Sequence, residues 1–124
     1  MESLGILLYG YNLSDSENIH KKLLGILNED VIVISGSSKE DITLNDILEQ
    51  GPNDNYKDSE HKILVFLGFN DLQVSAVLNG FPKNSELTRP IFCGLTEQNL
   101  NWPLKELIEH LVEEDKNWTE KRAG

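Results

Sequence analysis

Four short apolar runs punctuate the chain, at Leu4–Tyr9, Val31–Ile34, Ile63–Leu67 and Ile91–Gly94, and each ends at a glycine or within two residues of one. The third, Ile63-Leu64-Val65-Phe66-Leu67, has no polar interruption and is closed by Gly68-Phe69-Asn70-Asp71. Runs of this length bounded by turn residues predict strands covered on both faces. Between them, apolar positions recur at helical spacing. Ile19, Leu23, Ile26 and Leu27 predict a helix opened by the capping-box pattern Ser14-Asp15-Ser16-Glu17 and ending near Asn28-Glu29-Asp30. Thr43 caps a short helix near 43–50 that carries Ile47 and Leu48. Asn70 opens a third helix, with Phe69 stapled onto Val74 and a stop at Asn79-Gly80. Pro103 suits the first turn of a fourth, whose buried stripe is Leu104, Leu107, Ile108, Leu111 and Val112, continued by Trp118. Gly51–His61, rich in Pro, Gly, Asn and Asp, predicts a mobile surface loop, and Phe81–Thr88 reads as a loop.

The pattern occurs twice. Gly10 and Gly68 are 58 residues apart, as are Gly36 and Gly94, and Leu7-Leu8-Tyr9-Gly10-Tyr11-Asn12 parallels Val65-Phe66-Leu67-Gly68-Phe69-Asn70. A single α/β domain over 1–118 is expected, built as a βαβα unit repeated over 1–58 and 59–118, with a frayed tail at 119–124. The sequence favours a small, mostly parallel sheet of order 2-1-3-4 with helices on both faces, since the long connection from Ser35 to Lys62 suits a crossover. The alternative is a ferredoxin-like α+β fold with extra helices. The two differ in consequence. Parallel first and third strands would bring both Gly-aromatic-Asn turns to one edge, where open α/β sheets bind ligands. Antiparallel ones would place them at opposite edges.

That edge supplies the candidate site: Tyr11, Asn12, Phe69, Asn70 and Asp71, joined by Thr96, Asn99 and Trp102. Helix N-termini, aromatic faces and amides could orient a small ligand there. The plainer reading is that Asn70 caps a helix and the aromatics staple it. Ser35-Gly36-Ser37-Ser38-Lys39 lacks the G-x-x-x-x-G-K-[ST] spacing of a phosphate loop and reads as a turn. His20, His61 and His110 have no paired spacing, and Glu106 with His110 on one helix face is a solvated pair rather than a metal site. Cys93 in a strand reads as a small hydrophobe, and no catalytic residue can be assigned.

Composition narrows the partners. A net charge of −10, from 21 acidic against 11 basic residues, disfavours nucleic acid and anionic membrane surfaces. No apolar segment reaches the roughly 18 residues of a membrane span. The N-terminus lacks the basic flank of a signal peptide, and the single cysteine suits a reducing compartment, so a cytoplasmic setting is expected. No cofactor or metal is expected.

Three segments resemble the prokaryotic family catalogued as domain of unknown function 3783. They are Leu7-Leu8-Tyr9-Gly10-Tyr11, Val65-Phe66-Leu67-Gly68-Phe69, and Thr96-Glu97-Gln98-Asn99-Leu100-Asn101-Trp102 with Leu104-Lys105-Glu106-Leu107 and Glu113-Glu114. The resemblance implies a compact domain from a bacterium or archaeon, brings no catalytic residue, and draws attention to Thr96, Asn99 and Trp102. The expected function is a non-catalytic binding or regulatory module that recognises a protein or small ligand at the strand-end edge. The alternatives are a small-molecule enzyme at the same edge and a homodimeric assembly protein.

Overall fold

A computed structural model describes residues 4–81 and 87–123, with side chains of the last helix described through Asp115. The expectation that Trp118 continues the buried stripe concerns a side chain outside those described, and Gly124 and the middle of the 81–88 loop also lie outside the described residues, while 119–123, expected to fray, is helical. The elements in chain order are β1 (Leu4–Tyr9), α1 (Leu13–Leu27), β2 (Val31–Ser35), α2 (Leu44–Gln50), β3 (Ile63–Leu67), α3 (Asp71–Gly80), β4 (Ile91–Gly94), a 3-10 turn (Asn99–Asn101) and α4 (Leu104–Ala123).

Local chemistry sets most boundaries. Thr43 accepts a hydrogen bond from the Asp46 N–H and starts α2. Asn70 and Gln73 form a reciprocal capping box at α3, which stops at Gly80. The α1 helix starts two residues earlier than the Ser14 pattern suggested, because Asn12 accepts from the Asp15 N–H at 2.8 Å and takes the capping role. Its neighbour Tyr11 is buried against the core and fixes where the helix enters. Asn28, in the left-handed conformation, ends it.

The sheet has the order β2-β1-β3-β4. β1 pairs parallel with β2, and β3 parallel with β4, while the central β1–β3 pair is antiparallel. The fold is thus α/β with the expected strand order and two parallel pairs of three. The central pair runs in the direction expected of the ferredoxin-like alternative.

Right-handed crossovers are the rule for parallel pairs. Two such units facing each other across an antiparallel seam put both crossover helices on the same face. Ile19 and Leu23 of α1 and Val77 of α3 accordingly share one apolar cluster with Leu4, Ile6, Leu8, Leu64 and Phe66. The opposite cluster joins Leu44 and Ile47 of α2 and Leu104, Leu107, Ile108 and Leu111 of α4 to Leu7, Ile34, Ile63 and Val65. Consecutive strand residues alternate between these clusters, so the sheet is buried on both faces as its unbroken apolar runs predict.

Candidate functional site

The antiparallel seam divides the predicted site. Tyr9 pairs with Ile63 and Gly5 with Leu67, so Tyr11 and Asn12 follow β1 at one end of the sheet. Phe69, Asn70 and Asp71 follow β3 at the other end. Thr96 and Asn99 follow β4, which is parallel to β3, and share that second end. A pocket joining the two Gly-aromatic-Asn turns does not form.

Each of these residues has a structural engagement. Tyr11 is 1% exposed, its hydroxyl donates to the Thr88 carbonyl, and the Lys62 ammonium lies 5.1 Å from its ring centroid. Asn12 caps α1 and donates to Asp58 at 3.1 Å. Phe69 packs on Phe66 with centroids 4.9 Å apart, and Asn70 caps α3, whose first residue is Asp71. Thr96 and Asn99 form a reciprocal clasp: the Thr96 N–H donates to Asn99 Oδ1 at 2.8 Å, and the Asn99 N–H to Thr96 Oγ1 at 3.0 Å. The Asn99 amide also donates to the Gly94 carbonyl and so holds the end of β4. Trp102 packs against the α2–α4 cluster and stacks on His110 at 4.6 Å, while its carbonyl accepts from the Leu44 N–H. His20 is part-exposed and bonds Asp30 at 2.9 Å, which lowers the Asp30 carboxyl below its ordinary value. Among the described residues no group of three metal-ligating side chains occurs.

The end of the sheet that holds Asn12 is where a cleft forms. The chain from 51 to 61, expected to be mobile, is tied across the ends of β1 and β2 by its own polar residues and by Lys62. Asn53 Nδ2 donates to the Ser35 carbonyl at 3.1 Å, and Asn55 Nδ2 to the Ser37 carbonyl at 3.2 Å. The Ser35 hydroxyl donates to the Asn55 carbonyl, and the Lys57 N–H donates to Ser37 Oγ at 3.0 Å. The Ser59 N–H reaches the Gly10 carbonyl at 3.0 Å, and Lys62 Nζ clamps the Gly10 and Ser59 carbonyls at 2.6 and 3.0 Å. Gly10 permits this closeness. Its φ is +92°, and a Cβ there would meet the His61 carbonyl oxygen at 2.2 Å.

Between this strap and the turn after β2 lies a cleft of about 180 Å³ lined by Tyr9, Ser37, Ser38, Glu40, Lys57, Asp58 and Ser59. Its buried and half-buried walls are Tyr9, Ser37, Glu40 and Ser59, and its open rim is Ser38, Lys57 and Asp58. Ser38 holds φ at +64°, a conformation uncommon outside glycine, asparagine and aspartate. The Tyr9 hydroxyl donates to Glu40 Oε2 at 2.8 Å. Burial, and then the Glu40 hydrogen bond, raise the Tyr9 pKa, so its phenol stays a donor. None of the seven was among the predicted site residues. The available signal was the density of Asn, Asp and Ser in 51–61, residues whose short side chains bond nearby backbone as readily as they leave a loop free.

Residues 62–117 match the family described as Domain of unknown function (DUF3783). The match begins just before β3 and covers the second βαβα unit, including Val65–Phe69 and the Thr96–Trp102 clasp. Neither the search of curated proteins nor the search of solved structures found a match. The similarity is thus confined to residues 62–117, and the family is described only as a domain of unknown function. Among the described residues, no helix is long and apolar enough to cross a membrane.

Proposed function

We propose that the protein is a non-catalytic binding or regulatory module whose ligand sits in the cleft at the ends of β1 and β2. The observation that carries this reading is the strap itself: a dozen residues without helix or strand are fixed by side-chain hydrogen bonds so that polar groups from three segments converge. Ordered loops set on a rigid sheet are where binding residues concentrate. The groups that converge are suited to recognition. Tyr9 is held protonated by burial and by Glu40, which makes it a hydrogen-bond donor and a poor base. A cavity of about 180 Å³ is smaller than the roughly 300–1,000 Å³ of drug-sized sites, which favours a ligand of a few heavy atoms. A cytoplasmic, prokaryotic setting belongs to this proposal and is supported by the single cysteine and the family resemblance.

The test is an amide-resonance titration with pools of small polar metabolites, read beside melting temperature. The expected result is a set of shifts confined to Tyr9, 37–40 and 57–59, with a rise in melting temperature for the same compounds. Shifts centred instead on 69–71 and 96–102 would move the site to the other end of the sheet. Turnover of any hit would make the protein an enzyme and end the non-catalytic reading.

A further inference from the structure

The charges lining the cleft specify more than polarity. Glu40 stands on its half-buried wall and Lys57 on its rim. Among the described residues neither makes an ion pair, and they do not pair with each other. Neighbouring cations are occupied elsewhere: Lys39 Nζ donates to Gln50 at 2.5 Å, Lys105 Nζ to Asp41 at 3.0 Å, and Lys62 to two carbonyls. Asp58, the other rim charge, already accepts from Asn12 and lies 3.9 Å from Lys62. Glu40 and Lys57 therefore line a common cavity, and among the described residues neither has an ion-pair partner.

We infer that the cleft takes a small zwitterion of the amino-acid type, its ammonium against Glu40 and its carboxylate against Lys57. This rests on the cleft being the binding site. Glu40 is pre-oriented for the role, since Tyr9 holds one of its oxygens at 2.8 Å and leaves the other to accept from an ammonium. Ser38 and Ser59 line the same space. A ligand bearing both charges leaves neither group unmatched, whereas an amine or an acid alone leaves one. The net charge of −10 makes the distinction sharper, because it favours simple cations and opposes simple anions.

The experiment titrates the full chain at neutral pH with glycine, L-alanine, L-serine and β-alanine, and in parallel with ethylamine and propionate. The titration follows the amide resonances of 37–40 and 57–59. At least one zwitterion should bind about tenfold or more tighter than either singly charged probe, the effect of one charge-assisted hydrogen bond. Glu40→Gln and Lys57→Gln should each weaken the zwitterion by a similar factor. Glu40→Gln should spare propionate, and Lys57→Gln should spare ethylamine. Ethylamine binding as well as any zwitterion, or Lys57→Gln leaving the zwitterion unaffected, would overturn the inference while leaving the cleft as a binding site. A broader panel of polar metabolites that never perturbs these amides would overturn both.

Discussion

At the scale of single residues, the Gly-aromatic-Asn turns do mechanical work at the ends of β1 and β3. Gly10 and Gly68 both take positive φ, at +92° and +77°, and turn the chain out of the sheet. Tyr11 and Phe69 then pack beside the core, and Asn12 and Asn70 cap the helices that follow. Gly10 carries a second constraint, because the strap closes directly over it. Gly10→Ala should cost more than about 2 kcal/mol, from left-handed strain and overpacking together, read as a lower urea midpoint. It should also broaden the resonances of 59–62. Asn70 and Thr43 were legible as caps because each stands alone before a helical stripe. Asn12 was not, because Ser14 with Glu17 offers an equally good local pattern. The choice between them is made by Tyr11, whose burial is a tertiary fact.

At the scale of elements, the strands, most helix limits and the strand order follow from the apolar pattern, but the direction of β3 does not. An apolar run buried on both faces has the same pattern whichever way it runs, so Ile63–Leu67 fits beside β1 in either sense. The connection decides. It leaves β2 beside Leu8, passes through α2 on one face, and returns as the strap to Ile63 beside Tyr9, at the end it left. The strap's hydrogen bonds, which fix that return, link residues up to 52 apart and leave no periodic trace. The Thr96–Trp102 segment was legible as distinctive, and the structure gives it the role of joining β4 and α4 to α2. Thr96→Ala and Asn99→Ala should each cost about 1–2 kcal/mol. The double variant should cost less than their sum, by about 0.5–1 kcal/mol, because the two side chains form one reciprocal unit. Trp102→Ala should lower stability by about 2–3 kcal/mol, below the cost of a fully buried tryptophan. It should leave ligand titrations at the cleft unchanged. Loss of cleft binding without loss of stability would return Trp102 to the site.

At the scale of the whole molecule, the two halves face each other across β1 and β3. Leu7 pairs with Val65, its counterpart at the 58-residue interval, as an internal two-fold axis between them requires. The outer strands keep the symmetry with a slip of one: Leu7 pairs with Ile34 but Val65 with Cys93, so Gly36 and Gly94 are not equivalent positions. We propose that the halves arose by duplication, in keeping with a family match to the second alone. Chains bearing one such unit should then dimerise through β3, and a stable monomeric single unit would refute the idea.

The shared core also sets how the molecule responds to alkali. Burial raises the pKa of Tyr9, Tyr11 and Tyr56, all three tyrosines, above their ordinary 10.0, most strongly for Tyr11, and raises Cys93 above 9.0. Below about pH 8 these groups are protonated in both the folded and unfolded chain and add no pH dependence. Above it the unfolded chain gives up protons that the folded one retains, so unfolding releases protons and each further rise in pH favours it. The melting temperature should therefore begin to fall above about pH 8, as the unfolded thiol ionises, and fall faster above about pH 9, as the unfolded tyrosines do. The Tyr11 share of the tyrosinate absorbance should rise together with the loss of helical circular dichroism, since Tyr11 ionises only when the core opens. Tyr11→Phe should start less stable, by about 1 kcal/mol for the lost hydrogen bond to Thr88, yet decline less steeply above pH 10. Ionisation of all three tyrosines at pH 10 in a protein still fully folded would show that the Tyr11 side of the sheet is open to water.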